Sequence, residues 1–122
     1  MKYIRTKDGR IIPYKKQYDG FTKTIDERFY YINQDDVITF VHKDMILKQV
    51  DTIEELCDEF VGVRKSDNTA HLGKIKDKHW FYEQTGWVGR VENYKVIYGA
   101  IWTDKGLIYV AKMNEEGEME LL

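Results

Sequence analysis

The sequence contains very little of several residue types on which common chemistries depend. Among its 122 residues there is one cysteine, Cys57, one serine, Ser66, and one proline, Pro13. A single cysteine excludes an intramolecular disulfide and a metal site built from several cysteines. Ser66 lies in a polar segment without a nucleophile-elbow pattern, and Cys57 falls among apolar residues, where a thiol packs as a small hydrophobic group. We therefore expect no activated nucleophile.

The motifs that usually identify a catalytic or cofactor site are also missing. There is no phosphate-binding loop and no Gly-x-Gly-x-x-Gly pattern, and Gly73 followed by Lys74 stands alone. The three histidines have no metal-ligand spacing, and Asp35 and Asp36 are adjacent in sequence, as turn residues often are. The sequence thus predicts a protein that is not an enzyme and that carries neither a metal nor a cofactor.

Long apolar runs and a strong charge of one sign are absent as well. No run is long enough to span a bilayer, no signal-peptide pattern opens the chain, and the formal net charge is −2. We therefore expect a cytosolic protein with no membrane partner and no nucleic-acid partner. The length suits one hydrophobic core, so residues 1–122 are expected to form a single domain.

Short β-rich runs separated by turn signals dominate the chain. Asp8-Gly9 predicts a type I′ hairpin between strands near residues 2–7 and 10–13, and residues 14–24 have the irregular pattern of a loop. Further strands are expected at 29–32, 37–41, 45–50, 95–102 and 107–112, the last two joined by a hairpin turn at residues 103–106. Both faces of these two strands are apolar, which predicts that they lie in the middle of a sheet.

One helix is expected among the strands. Thr52-Ile53-Glu54-Glu55 matches a capping box, and Ile53, Leu56, Cys57 and Phe60 recur at the spacing of one helical face. The predicted fold class is therefore α+β, an antiparallel β-sheet meander with one main amphipathic helix at about residues 52–61.

The segment His79–Arg90 is the most distinctive part of the sequence. It holds four aromatic rings, two glycines and an arginine, and all three tryptophans lie within or soon after it. Aromatic faces stack flat ligands, arginines bind phosphates and glycines allow close backbone approach. The residue types leave open whether the rings form a pocket or fill the core. The candidate ligand-binding residues are Arg28, Arg64, Trp80, Phe81, Tyr82, Trp87, Arg90, Asn93 and Trp102.

Three segments resemble small proteins that are common in phages and prophages of Firmicutes. They are residues 1–11, residues 46–61 and residues 98–113, and they cover scaffold and no active site. Many such proteins counteract host defence, and with no catalytic residues the chain is similar to the anti-Thoeris family. That resemblance implies a sponge that sequesters a cyclic ADP-ribose-type immune signal in the host cytoplasm, without catalysis, as a homodimer or a higher symmetric oligomer.

A rival interpretation is an anti-CRISPR type of protein that inhibits a host effector by direct contact. Its expected signature is a strongly charged face, which the acidic residues of segments 51–59 and 115–120 could supply. A charged run is more commonly only a solvated face.

Overall fold

The computed structural model describes residues 1–20 and 27–122, which form two compact units, Met1–Leu56 and Cys57–Leu122. Strands account for 58% of the residues and helices for 9%. None of the helices in these two described ranges has the length and apolar character needed to cross a membrane. The organisation of the whole chain as a single domain stays a prediction.

The described part of the first unit, residues 1–20 and 27–56, contains two small antiparallel sheets. One sheet has the strand order β2-β1-β6 and the other has the order β3-β4-β5. The strands are β1 (Lys2–Thr6), β2 (Ile11–Tyr14), β3 (Lys16–Gln17), β4 (Arg28–Ile32), β5 (Ile38–His42) and β6 (Ile46–Val50). Lys43–Met45 forms a 3-10 turn between β5 and β6. Ile4, Tyr14, Phe29, Tyr31 and Val41 form a cluster of buried residues in this unit.

The hairpin predicted at Asp8-Gly9 is confirmed, but its turn is longer than a two-residue type I′ turn. Only Gly9 has a positive φ, of 87°, and the backbone N–H of Thr6 donates to the carbonyl of Arg10. The Asp8 carboxylate contacts the Thr6 hydroxyl and thus holds the wider loop. Of the loop predicted over residues 14–24, Lys16–Gln17 form β3, whereas residues 21–24 lie outside the described residues.

The second unit is one seven-stranded antiparallel sheet with the order β10-β9-β8-β7-β11-β12-β13. Its strands are β7 (Glu59–Arg64), β8 (Ala70–Lys76), β9 (Trp80–Glu83), β10 (Val88–Arg90), β11 (Tyr94–Thr103), β12 (Gly106–Met113) and β13 (Met119–Leu121), with a 3-10 turn at Val91–Asn93 between β10 and β11. The two apolar strands predicted for the middle of a sheet, β11 and β12, do have a strand on each side.

The sheet of the second unit is strongly curved. A Cβ atom placed on Gly117, in the β12–β13 turn, would lie 3.9 Å from the carbonyl oxygen of Lys78, in the β8–β9 turn. These turns belong to strands that are separated by two others in the sheet, so their approach requires the sheet to roll up. We call its concave side the inner face and its convex side the outer face.

The α+β prediction is wrong, because the main helix expected at about residues 52–61 is a single turn. The helix α1 covers Ile53–Leu56 alone, and no helix in the described residues reaches seven residues. Its start was predicted correctly, since the backbone N–H of Glu55 donates to the Thr52 hydroxyl over 3.3 Å.

The chain leaves the helix because its next residues are used in the sheet. The backbone N–H of Asp58 donates to the Ala100 carbonyl, and the Asp58 carboxylate accepts from the N–H of Trp102. Phe60 and Val61 are then buried in β7, between β8 and β11. Burial on both sides of a central strand outweighs a helical spacing of four apolar residues. The acidic segment 51–59 is consequently not one helical face.

Candidate functional site

The aromatic segment folds as a hairpin of β9 and β10, and strand geometry divides its side chains between two faces. Along β9, Phe81 and Glu83 are buried, whereas Trp80 and Tyr82 are exposed. This alternation is the ordinary period of a strand. The rings that are adjacent in the sequence therefore serve two different surfaces.

Phe81 lies in the core and contributes nothing to an accessible surface. Its side chain is 0% exposed, and its ring centroid is 4.8 Å from that of Tyr94. Two glycines make room for it, because a Cβ atom on Gly62 or Gly73 would come within 3.1 Å or 2.8 Å of the Phe81 ring. Phe81 thus anchors the hairpin to the sheet.

Glu83 is a buried carboxylate two residues further along the same strand. Its side chain has no exposed surface, and the Tyr94 hydroxyl donates to Oε2 over 2.6 Å. The Arg64 Nε lies 3.5 Å from Oε2, and the His71 Nδ1 lies 3.4 Å from Oε1. A buried charge requires such partners, since its desolvation is costly. The four side chains form what we call the Glu83 cluster.

Arg64 and His71, two members of this cluster, also contact each other. The Arg64 Nη2 lies 2.5 Å from the His71 Nε2, and a guanidinium can only donate. Nε2 can accept from Arg64, the Thr69 hydroxyl oxygen lies 2.6 Å from the same atom, and Nδ1 faces Glu83. Arg64 is thus held from two sides, by a carboxylate and by an imidazole, and its orientation is set before any ligand arrives.

A cavity of about 410 Å³ opens beside the guanidinium of Arg64. The Trp87 ring, 57% exposed, has its centroid 5.9 Å from the Arg64 Cζ. The backbone N–H of Lys65 donates to the Asn93 carbonyl over 3.0 Å and joins the two sides of the opening. The lining residues are Arg64, Lys65, Ser66, Trp87, Asn93 and Tyr94, which we call the Trp87 pocket.

A larger cavity of about 880 Å³ lies on the same unit, but its lining is less selective. Lysines such as Lys78 and Lys112 alternate there with glutamates such as Glu92 and Glu116. It has no exposed tryptophan on which a flat ligand could stack. The Trp87 pocket is the better candidate because it combines an exposed ring, two cations and an amide.

The structure brings three of the nine predicted site residues together, Arg64, Trp87 and Asn93. Trp80, Tyr82 and Arg90 lie on the outer face of β9 and β10, and Trp102 is exposed on β11. Arg28 belongs to the first unit, where its guanidinium lies 4.4 Å from the Phe40 ring centroid.

Sequence reasoning missed the pocket residues Lys65, Ser66 and Tyr94 and the whole role of Glu83. The sequence did contain one signal for Glu83. Side chains two residues apart in a strand point to the same face, so if Phe81 points into the core, then the Glu83 carboxylate does so too. The partners of Glu83 come from β7, β8 and β11, and only the strand order brings them together.

Tyr94 gives the Glu83 cluster a measurable response to alkaline pH. Burial, and then the hydrogen bond to Glu83, raises the pKa of Tyr94 well above its ordinary value of 10.0. The unfolded chain would lose this proton near pH 10 while the folded protein keeps it, so the free energy of unfolding should decrease as the pH rises above about 10.

Urea unfolding at several values from about pH 8 to 11 tests this expectation. We expect Tyr94→Phe to be less stable than the wild type near neutral pH and to show a shallower alkaline decline. Tyr14 and Tyr31, whose pKa values are also raised by burial, are unchanged in this comparison. Parallel declines in the two proteins would contradict the assignment to Tyr94.

Comparisons with protein-family models, with curated proteins and with solved structures gave no match. Among residues 1–20 and 27–122, no three histidine, cysteine, aspartate or glutamate side chains are grouped as metal ligands would be. The site is therefore interpreted from its own residues.

Proposed function

We propose that this protein binds a small, anionic, nucleotide-like ligand in the Trp87 pocket and holds it without converting it. The observation that carries the proposal is an exposed Trp87 ring next to an oriented Arg64, at the mouth of one cavity. The ring would stack on a base, the guanidinium would bind a phosphate, and the Asn93 amide would bind a base edge or a ribose.

Two cations, Arg64 and Lys65, line the pocket and are available to an anion, although two carboxylates lie next to Arg64. Glu83 offsets much of the charge of Arg64, and Asp67 lies 3.8 Å from the Arg64 Nε at the rim. Lys65 adds a second cation on the pocket wall. A rim carboxylate that is 45% exposed is screened by water, so it opposes an anion only weakly.

The size of the pocket suits a single nucleotide-like molecule. Its 410 Å³ falls near the lower end of the roughly 300–1,000 Å³ that is usual for ligand sites. The resemblance to small phage proteins points to a cyclic ADP-ribose-type immune signal, sequestered in the host cytoplasm by a counter-defence protein. A homodimer or a higher symmetric oligomer would let a second copy cover the open side of Trp87.

Replacing Trp87 with alanine should weaken ligand binding and leave the fold intact. Loss of one stacked ring is expected to cost about 1–3 kcal/mol, which is about a 5- to 150-fold increase in Kd. Calorimetric titration of wild type and variant with a cyclic ADP-ribose isomer measures the change.

Trp102→Ala is the matched control, because Trp102 is 52% exposed on the same unit and lies outside the pocket. Equal melting temperatures for the two variants would show that both proteins are folded. If Trp87→Ala binds as tightly as Trp102→Ala, the pocket assignment fails. Heat denaturation of a loaded sample then separates binding from turnover, because a sponge releases intact ligand and an enzyme releases product.

A further inference from the structure

The outer face of β8, β9 and β10 combines rings with cations in a regular pattern. Six exposed side chains of this face form what we call the outer β8–β10 surface. They are Lys74 and Lys76 on β8, Trp80 and Tyr82 on β9, and Val88 and Arg90 on β10. All six residues are exposed.

Strand register places a cation beside each ring. Trp80 pairs with Lys76 on one side and with Arg90 on the other. Tyr82 pairs with Lys74, and the Lys76 Nζ lies 5.9 Å from the centroid of the Tyr82 ring. The Arg90 Cζ lies 5.1 Å from the Trp80 ring. Side chains directly opposite on neighbouring strands are within contact distance, so this order follows from the pairing.

The charge of this surface differs from that of the whole chain. No outward side chain of these three strands, all of which the structure describes, is acidic, although the formal net charge of the protein is −2. Glu92 lies 3.3 Å from the Arg90 Nε, but both side chains are more than half exposed, and such a pair is weak and easily replaced. The surface is therefore locally positive.

Exposed rings with cations beside them suit one class of partner better than others. Single-stranded nucleic acid presents flat bases and phosphates at alternating positions, and aromatic sheet faces bind it by stacking. A duplex hides its base faces, and an acidic peptide would use the cations but leave the rings in water. Trp80 and Tyr82 are exposed by 38% and 39%, which leaves ring surface for stacking.

We propose that the outer β8–β10 surface binds single-stranded nucleic acid. Trp80 and Tyr82 stack on neighbouring bases, and Lys74, Lys76 and Arg90 contact the phosphates beside them. Trp80 and Tyr82 point away from Phe81 and Glu83, the inner-face residues that support the Trp87 pocket. The proposal therefore does not depend on the function proposed for that pocket.

Fluorescence anisotropy with labelled single strands of about 12 nucleotides, oligo-dT and oligo-U, tests the proposal. Trp80→Ala and Tyr82→Ala should each raise Kd about 5- to 150-fold. Trp102→Ala, another exposed tryptophan on the same unit, should bind like the wild type. Melting temperatures check that each variant is folded.

Salt dependence separates stacking from general attraction of a polyanion. Contacts from three cations predict a slope of about −2 in log K against log salt, and Lys76→Ala should reduce its magnitude by about 0.7. The proposal is overturned if a duplex of equal length binds as tightly as the single strand. It is also overturned if Trp80→Ala keeps wild-type affinity, or if no single strand binds at about 50 mM salt.

Discussion

Replacing Phe81 with alanine is expected to lower the free energy of unfolding of the second unit by about 3–5 kcal/mol. The ring is fully buried, it packs against Tyr94, and the two glycines that face it, Gly62 and Gly73, have no side chain that could move into the space. The cavity would therefore stay largely empty, and the cost should fall near the upper part of this range. Urea unfolding followed by tryptophan fluorescence measures it.

Tyr82→Ala is the matched control for this experiment. Tyr82 follows Phe81 on the same strand, is also aromatic, and points to the outer face with 39% of its surface exposed. Its loss should cost less than about 1.5 kcal/mol, because little of the ring is removed from water on folding. If both variants lose the same stability, then the two faces of β9 are not divided into core and surface as described.

Glu83→Ala is expected to destabilise the protein by a similar amount, about 3–5 kcal/mol, for an electrostatic reason. The substitution leaves the Arg64 guanidinium without its buried counter-charge and the Tyr94 hydroxyl without its acceptor. Glu83→Gln should cost less, because the amide oxygen can still accept from Tyr94, although it cannot neutralise Arg64.

A double-mutant cycle with Arg64→Met tests whether the pair is coupled. Removing both charges leaves no unpaired buried ion, so the double variant should be clearly more stable than the sum of the single losses implies. Strict additivity would mean that Arg64 is stabilised by water at the pocket mouth and that Glu83 does not orient it. Ligand titration of Glu83→Gln adds a second readout, since a poorly oriented Arg64 should bind an anion more weakly.

The strands and turns were predictable because their signals are local. Gly106 and Gly117 have positive φ values of 105° and 80° in the two turns that flank β12, as the turn residues indicated. The length of α1 was not predictable in this way. Its capping box is a local signal and is present. Its end depends on two hydrogen bonds with residues more than forty positions away, one donated by the Asp58 N–H to the Ala100 carbonyl and one donated by the Trp102 N–H to the Asp58 carboxylate.

The candidate site was predictable in residue type but not in arrangement. The residue types alone suggested Arg64, Trp87 and Asn93. A nucleotide-like ligand requires an aromatic ring that stacks on its base, a guanidinium that binds its phosphate and an amide that binds a base edge. Alternation along β9 implies that Trp80 and Phe81 point to opposite faces, yet the sequence does not say which one points inward. That choice follows from the space above Gly62 and Gly73 on neighbouring strands.

All three tryptophans, Trp80, Trp87 and Trp102, belong to the second unit, and the first unit has none. Tryptophan emission from this protein therefore reports on residues 57–122 alone. The aromatic core of the first unit contains tyrosines, with the Tyr14 and Tyr31 rings packed edge to face at a centroid distance of 5.6 Å. Excitation selective for tryptophan would thus follow the second unit by itself, without any introduced label.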